Sequence, residues 1–543
     1  MLNVVVRLTF TRFTLKMMQL RLVILAALLC SIPSSDAGKV LVFPVDESHW
    51  INMKVLVQEL YSRGHNITVI RPKNSRYIQA EADHYQSITL DVVAGFILDD
   101  FINFSATVLQ HRRHFHSSIL SYIRALETFL AMLPYTHKAV VEKMQELFED
   151  ANLMQLFQEA KYDVVLTDPF LGGGVLLAHR LGLPLILNVR WTILEDALQT
   201  IAPSPISYVP TPGSEMTDKM TFWERVANVI MFLRILYGQH IIKDGYYGPF
   251  VHRYFGPDVH YDQLVQAADI WLMRTDFTFE YPRPTMPNVV YMGGFQCMPS
   301  KPLPQHLEDF VQSSAEHGVI IMTLGTLVGT LPDDIAERVA AAFAQLPQKV
   351  IWRHTGKRPS TLGNNTLLLD WLPQNDLLGH PKTRLFVAHG GTNGVQEAIY
   401  HGVPIVGLPL MFDQDDNLFR IRVRGAAKVM DIGTLTMENF LDALREVLHE
   451  PSYRKNMQEL SRLHRDQPMK PLDQAMFWIE FVMRHKGAAH LKTKSYKMSW
   501  IQYHSIDVIA LLLFLVIMMS LTFLLTVKWL WFKIFSVRKD KRE

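Results

Sequence analysis

One stretch near the C-terminus constrains the architecture more than any other. From Val508 to Val527 the sequence reads "VIALLLFLVIMMSLTFLLTV", about 20 apolar residues without a charge, the length a bilayer-spanning helix needs. Lys528, Lys533, Arg538, Lys539, Lys541 and Arg542 follow it, and the segment before it lacks such density. The positive-inside rule therefore predicts a cytosolic tail and a lumenal body, with Trp529 and Trp531 at the membrane interface.

Other targeting signals agree with that topology. Residues 19–37, "QLRLVILAALLCSIPSSDA", have a basic start, a short apolar run and small residues at Ser35 and Ala37. This pattern predicts a secretory signal cleaved before Gly38, with an uncleaved anchor as the alternative and Met17 or Met18 as alternative starts. The last residues, "KDKRE", are similar to the dilysine retrieval signal of endoplasmic-reticulum membrane proteins; as a solvated charge run they would carry no meaning. Asn66, Asn103 and Asn364 head glycosylation sequons that suit a lumenal domain. Cys30 goes with the signal, so Cys297 alone cannot form an intrachain disulfide, and a zinc site built on cysteine pairs is excluded. Lys and Arg number 54 against 52 acidic residues, and nothing forms the broad basic face that a nucleic-acid partner would require.

Between these ends the chain reads as α/β. Lys39–Phe43 is a short buried strand; Ser48 can cap a helix with Ile51, Val55, Leu56 and Leu60 at helical spacing; Gly64 ends it, and a strand follows over Ile67–Ile70. Such a βαβ opening predicts a parallel sheet, and the absence of G-x-G-x-x-G argues against a dinucleotide there. Residues 104–160 read as helical. The plan then repeats with a strand over Val164–Thr167, a glycine turn, a helix, Gly182 and another strand. The segment 221–238 is apolar but broken by Arg225 and Arg234, which suits a buried helix or a membrane-facing one. A proline-rich stretch, 281–304, around a short strand Val289–Met292 reads as an interdomain linker. Beyond it lie strands at Val319–Thr323, Lys349–Arg353, Leu385–Ala388 and Ile405–Leu408, with helices between them. Two facing doubly wound domains and a C-terminal transmembrane helix are therefore expected. Their ligands should lie at the carboxyl ends of the strands.

The segment with the densest chemistry is "VAHGGTNGVQE", Val387–Glu397. A strand ends at His389, a tight Gly390–Gly391 turn follows, and Asn393–Tyr400 has helical spacing closed by Gly402 and Pro404. A glycine turn feeding a helix N-terminus presents free N–H groups and the positive end of a dipole, which suits phosphate; His389 can add a donor. Glu397, one turn further on, can accept from ribose hydroxyls. With "WLPQNDLLGHP" at Trp371–Pro381 and "HGVPIVGLPLMFDQDDN" at His401–Asn417, this segment resembles the donor-binding signature of the UDP-glycosyltransferases. The match is nearest to the membrane-bound UDP-glucuronosyltransferases of animals, and it also takes in "SHWINMK" and "PLDQAMFWIEFVMRHKGA".

The resemblance implies two Rossmann-like domains of GT-B type. It divides the chain into residues 1–37 (signal and extension), 38–285 (acceptor-binding and catalytic domain), 286–485 (UDP-sugar domain), 486–507 (juxtamembrane segment), 508–527 (span) and 528–543 (cytosolic tail). It places Trp371 on the uracil and Gln374 on the base or ribose. His389, Gly391, Asn393 and Gly394 fall on the diphosphate, Glu397 on the ribose, and Asp413 and Gln414 on sugar hydroxyls, while Thr326 lines the donor site. Arg274, in "WLMRTD", matches an arginine thought to pair with the carboxylate of glucuronate, or else makes a structural ion pair. Two departures bear on the sugar: Ala388 stands where the family often has Thr or Ser, and Phe412 where alanine is common.

His49 lies at a helix N-terminus after the first strand, where the dipole keeps imidazole neutral, and Asp168 ends another strand. In the family the matching pair are base and orienting carboxylate. The implied reaction is attack by the acceptor hydroxyl, deprotonated by His49, on the anomeric carbon opposite UDP. A single displacement turns an α-linked donor into a β-glycoside. UDP-glucuronate is the co-substrate implied, with no metal and no other cofactor. The DQD at Asp413–Asp415 resembles a metal-binding pair, but in this context Asp413 is read as a sugar ligand, and His111, His114 and His116 are read as a solvated helix face. The acceptor walls would come from the apolar 90–240 region and suit small lipophilic alcohols, phenols or steroids. Three alternatives stay open: another UDP-sugar donor (glucose, galactose or N-acetylglucosamine), a silent lumenal partner that binds hydrophobic ligands or dimerises with active relatives, and a sugar-nucleotide epimerase.

Overall fold

The computed structural model describes residues 37–90, 107, 108, 110, 119–190, 200–326 and 328–539. The signal region with Cys30, the sequon at Asn103, the histidines 111, 114 and 116 and the terminal lysine Lys541 lie outside the described residues. The chain divides into two compact units at Ala488/Ala489.

The first unit is built on two wholly parallel sheets. The first has seven strands in the order β3-β2-β1-β4-β5-β6-β7. These are β1 (Lys39–Phe43), β2 (Asn66–Pro72), β3 (Gln86–Leu90), β4 (Val164–Thr167), β5 (Leu185–Val189), β6 (Ile270–Met273) and β7 (Val289–Tyr291). The second has six, in the order β10-β9-β8-β11-β12-β13: β8 (Val319–Thr323), β9 (Lys349–Arg353), β10 (Thr366–Leu369), β11 (Thr383–Ala388), β12 (Ile405–Gly407) and β13 (Ala427–Val429). Central strands such as β4, β5 and β8 are buried at every position, as unbroken apolar runs covered by helices on both faces should be. In each sheet the order reverses beside the first strand, between β1 and β4 and between β8 and β11. A crevice opens at the strand ends there.

Helix α1 (Ser48–Ser62) starts one residue earlier than a Ser48 cap implies. Glu47 holds the N-cap position without a side-chain capping bond, and the Ser48 hydroxyl instead accepts from Arg190 Nη1 at 2.9 Å. Within 104–160, helix α2 (Ile119–Glu149) and a shorter helix, Ala151–Ala160, are described. Helix α3 (Gly173–Leu181) ends at Gly182 in the left-handed conformation, as its sequence predicts.

The apolar segment at 221–238 forms α4 (Phe222–Ile242), opened by a Thr221–Glu224 capping box. Its buried positions include polar Asn228 and Gln239. Asn228 binds Thr211 N at 2.7 Å, Ile206 O at 2.8 Å and Val209 O at 3.0 Å. Phe222, Trp223, Ile230, Leu233 and Tyr237 point outward, more than half exposed. The helix is apolar on its open side, so the buried-helix alternative does not hold.

The linker expectation needs one correction. Strand β7 pairs with β6, so the first sheet extends to Tyr291, past a boundary at 285. Late in the chain, α5 (Pro471–His485) returns to the first half and packs on α1, β6 and β7. The 286–485 region therefore supplies cover to both sheets.

In the second unit the main element is α6 (Ile506–Lys539), with Ile506–Phe535 long and apolar enough to cross a membrane. It continues well beyond Val527 and through Trp529 and Trp531.

Candidate active site

The crevice holds a cavity of about 580 Å³, lined from both sheets. From the first sheet comes His49, in the first turn of α1 after β1; Asp168, at the end of β4, is buried behind it and does not itself line the cavity. His49 Nδ1 lies 2.6 Å from Asp168 Oδ2, and the other carboxylate oxygen accepts from Phe170 N at 3.0 Å. The bond at Nδ1 fixes the ring and leaves Nε2 as the nitrogen available for an acceptor proton. Burial lowers the pKa of His49, opposed by Asp168, so the imidazole stays neutral near pH 7. Phe170 packs beside it, ring centroids 5.6 Å apart.

Across the cavity stands the glycine turn. Helix α7 (Thr392–His401) begins directly after it and ends at Gly402 in the left-handed conformation. The glycines are needed because the His389 ring is folded against the backbone. A Cβ on Gly391 would meet His389 Nε2 at 2.6 Å, and Gly390 has φ +94. His389 Nδ1 is buried with no partner among the described residues. Burial lowers its pKa to about 4, with Asp413 acting in the opposite direction, so it too is neutral. An orphaned ring nitrogen beside free helix N–H groups suits a phosphate oxygen.

The rest of the donor wall is equally specific. Trp371, which could equally have been a core residue, is 55 % exposed, and the Arg353 guanidinium lies 5.4 Å from its ring. Gln374 Nε2 donates to Glu397 Oε2 at 2.5 Å; burial raises the Glu397 pKa to about 7, and this bond opposes the shift. Asp413 Oδ2 accepts from Thr392 Oγ1 at 2.8 Å and Asn417 Nδ2 at 2.9 Å. The Gln414 carbonyl is taken up by Leu410 N at 2.8 Å and Met411 N at 3.1 Å, which turns its amide nitrogen toward the other side. Phe412 lines the same wall with φ +60, rarely adopted by an aromatic residue. Thr326, Gly391, Asn393 and Gly394 also line the cavity. Among the described residues no group of three His, Cys, Asp or Glu side chains could hold a metal ion.

Arg274 is not among the lining residues. It is buried at the end of β6, donates through Nη1 to Asn52 Oδ1, and has its pKa lowered to about 9 by burial and by Arg190. Asn52 Nδ2 in turn donates to Asn393 Oδ1 at 3.2 Å, tying α1 to α7. The sequence reading missed Asn52 and Arg190. Arg190 lines the cavity directly after β5, at the strand end that carries Asp168 in β4. Asn66 and Asn364 are exposed, as sequons must be.

Comparison with known proteins agrees with this geometry. Solved structures share the fold at low identity: the glycotransferase of kitacinnamycin has a TM-score of 0.53 at 18 % identity, covering 82 % of this chain and 99 % of that one. The calicheamicin glycosyltransferase CalG4 gives 0.52 at 18 %, covering 82 % and 98 %. In sequence the chain is 44 % identical to UDP-glucuronosyltransferase 2A2 of Mus musculus over 88 % of this chain and 90 % of the relative. To UDP-glucuronosyltransferase 2B15 of Homo sapiens it is 42 % identical over 90 % and 92 %. A family model described as "UDP-glucoronosyl and UDP-glucosyl transferase" matches residues 38–543. Two histidines opposed across one cavity, one fold and one match over residues 38–543 thus lead to a single conclusion: the chain is a glycosyltransferase of the UDP-glucuronosyl and UDP-glucosyl transferase family.

Proposed function

We propose that the protein transfers glucuronic acid from UDP-glucuronate to a hydroxyl of small lipophilic alcohols, phenols or steroids. The observation that carries this is the His49–Asp168 pair facing the His389 turn across one cavity. The acceptor hydroxyl gives its proton to His49 Nε2 and attacks the anomeric carbon. Asp168 steadies the imidazolium, and the departing diphosphate is held by the N–H groups of α7 and by His389. Inversion gives a β-glucuronide. Trp371 stacks on uracil, Gln374 and Glu397 hold the ribose, and Asp413 with the Gln414 amide reads sugar hydroxyls; Thr326, Gly391, Asn393 and Gly394 complete the donor wall.

The donor assignment leans on the names of the relatives and on Arg274, whose Nε and Nη2 have no partner among the described residues. The guanidinium must come forward past Asn52 to meet a carboxylate. The protein resides in the endoplasmic-reticulum membrane with α6 crossing once, the body lumenal, and Asn66, Asn103 and Asn364 available to glycosylation. The open apolar face of α4 rests on the bilayer surface, where aromatic side chains are favoured.

Microsomes carrying the chain, given a panel of labelled UDP-sugars with phenol and steroid acceptors, test the reading. Product from UDP-glucuronate, reduced at least about 1,000-fold by His49→Ala, is expected. Product from a neutral UDP-sugar alone would keep the mechanism and remove the role given to Arg274. UDP binding without transfer from any donor would make the chain a silent partner.

A further inference from the structure

Glu47 stands out near the base. It has φ +62 and ψ −137, a region that a residue with a Cβ rarely occupies. An acidic residue before a helix is ordinarily explained as its cap, but Glu47 makes no capping bond. Its side chain lines the cavity, and Oε2 is buried with no partner among the described residues. The neighbouring carboxylate is already engaged: Asp46 accepts from Ser75 Oγ at 2.6 Å, Arg76 N at 3.0 Å and Glu47 N at 2.8 Å. Glu47 is thus the carboxyl on the catalytic loop with an oxygen left for a ligand.

We propose that Glu47 is a specificity-determining residue for the acceptor, its carboxyl taking a hydrogen bond or ion pair from a second group, a hydroxyl or protonated amine, on the molecule whose hydroxyl His49 activates. This rests on the functional reading above. The acceptor is favoured over the donor as ligand because Glu47 shares its loop with the base, which must touch the acceptor, whereas the residues assigned to the donor lie on the second sheet. The groups facing Glu47 are Asp46, Arg76 and Tyr77. Burial, then Asp46, raises its pKa to about 7 against the pull of Arg76, so its charge develops near neutral pH.

The test uses three phenols of matched length in the full-length, membrane-bound protein: 4-ethylphenol, 4-(2-aminoethyl)phenol and 3-(4-hydroxyphenyl)propanoic acid. The preference in kcat/KM for the cationic over the anionic phenol should fall about tenfold in Glu47→Gln. In the wild type that preference should grow from pH 6 to pH 8 as the carboxyl ionises. Glu47→Gly, which accepts the backbone angles, should show the same loss while melting at a higher temperature than Glu47→Ala. An unchanged preference in both Gln and Gly variants, or a change confined to the KM of the UDP-sugar, would overturn the inference and leave the functional reading standing. Absence of transfer to any acceptor by the wild type would overturn both.

Discussion

The two histidines of the crevice stand in matching places with different surroundings. His49 follows β1 and His389 follows β11, each near a helix N-terminus, the first buried and the second half-buried, and each held neutral by desolvation. Only His49 has a carboxylate at Nδ1; the same atom of His389 has no partner among the described residues. A ring that must take up a proton needs a group to stabilise the cation, whereas a ring that donates to an anion is best left neutral. In the proposed mechanism it is the partner, rather than the position, that separates base from anion donor.

Removing that partner should erase the difference. Asp168→Asn is expected to lower kcat about 100- to 10,000-fold with a much smaller change in UDP-sugar KM. Because Asp168 works against the burial that lowers the His49 pKa, its loss should move the acid limb of the kcat–pH profile to lower pH. His389→Ala tests the other side, with an expected loss of about 10- to 100-fold in kcat/KM. Its acid limb should stay in place, because His389 is already neutral down to about pH 4. The smallest effect belongs to Gln374→Ala. Its bond to Glu397 favours the carboxylate, so without it the carboxyl remains protonated above its present pKa of about 7. UDP-sugar KM should rise about threefold at pH 7.5 and recover only in part at higher pH as Glu397 ionises, because the contact of Gln374 itself is also lost. Initial rates across pH at varied donor concentration check all three.

Much of this was readable without coordinates. The roles expected of His49, Asp168 and His389 came from the family resemblance, but Asp168 and His389 directly follow the apolar runs β4 and β11 and His49 opens the helix after β1, so their places could be found from the pattern of strands. The edge strands β3 and β13 could not. β3 is half exposed, and β13 has three residues, too few for a period to emerge. β7 was legible as a short strand within the proline-rich stretch, but its pairing with β6 is a tertiary fact, so the stretch read as a linker. Asn52 meets Asn393 across 341 positions, and no local pattern encodes that contact. Arg190 differs: a charge ending an apolar run is the signal that revealed Asp168, and it could have been used again. The φ of Glu47 leaves no trace in composition, since an unsuitable residue at a turn looks like any other.

The return of α5 to the first sheet fixes how the two halves are joined. The backbone leaves the first sheet after Tyr291 and comes back to it at Pro471, where α5 packs on α1, β6 and β7, so the two walls of the crevice are tied covalently at both passages. Like a door with more than one hinge, the crevice does not depend on a single linker: a cut at either passage alone leaves the other to hold the halves together.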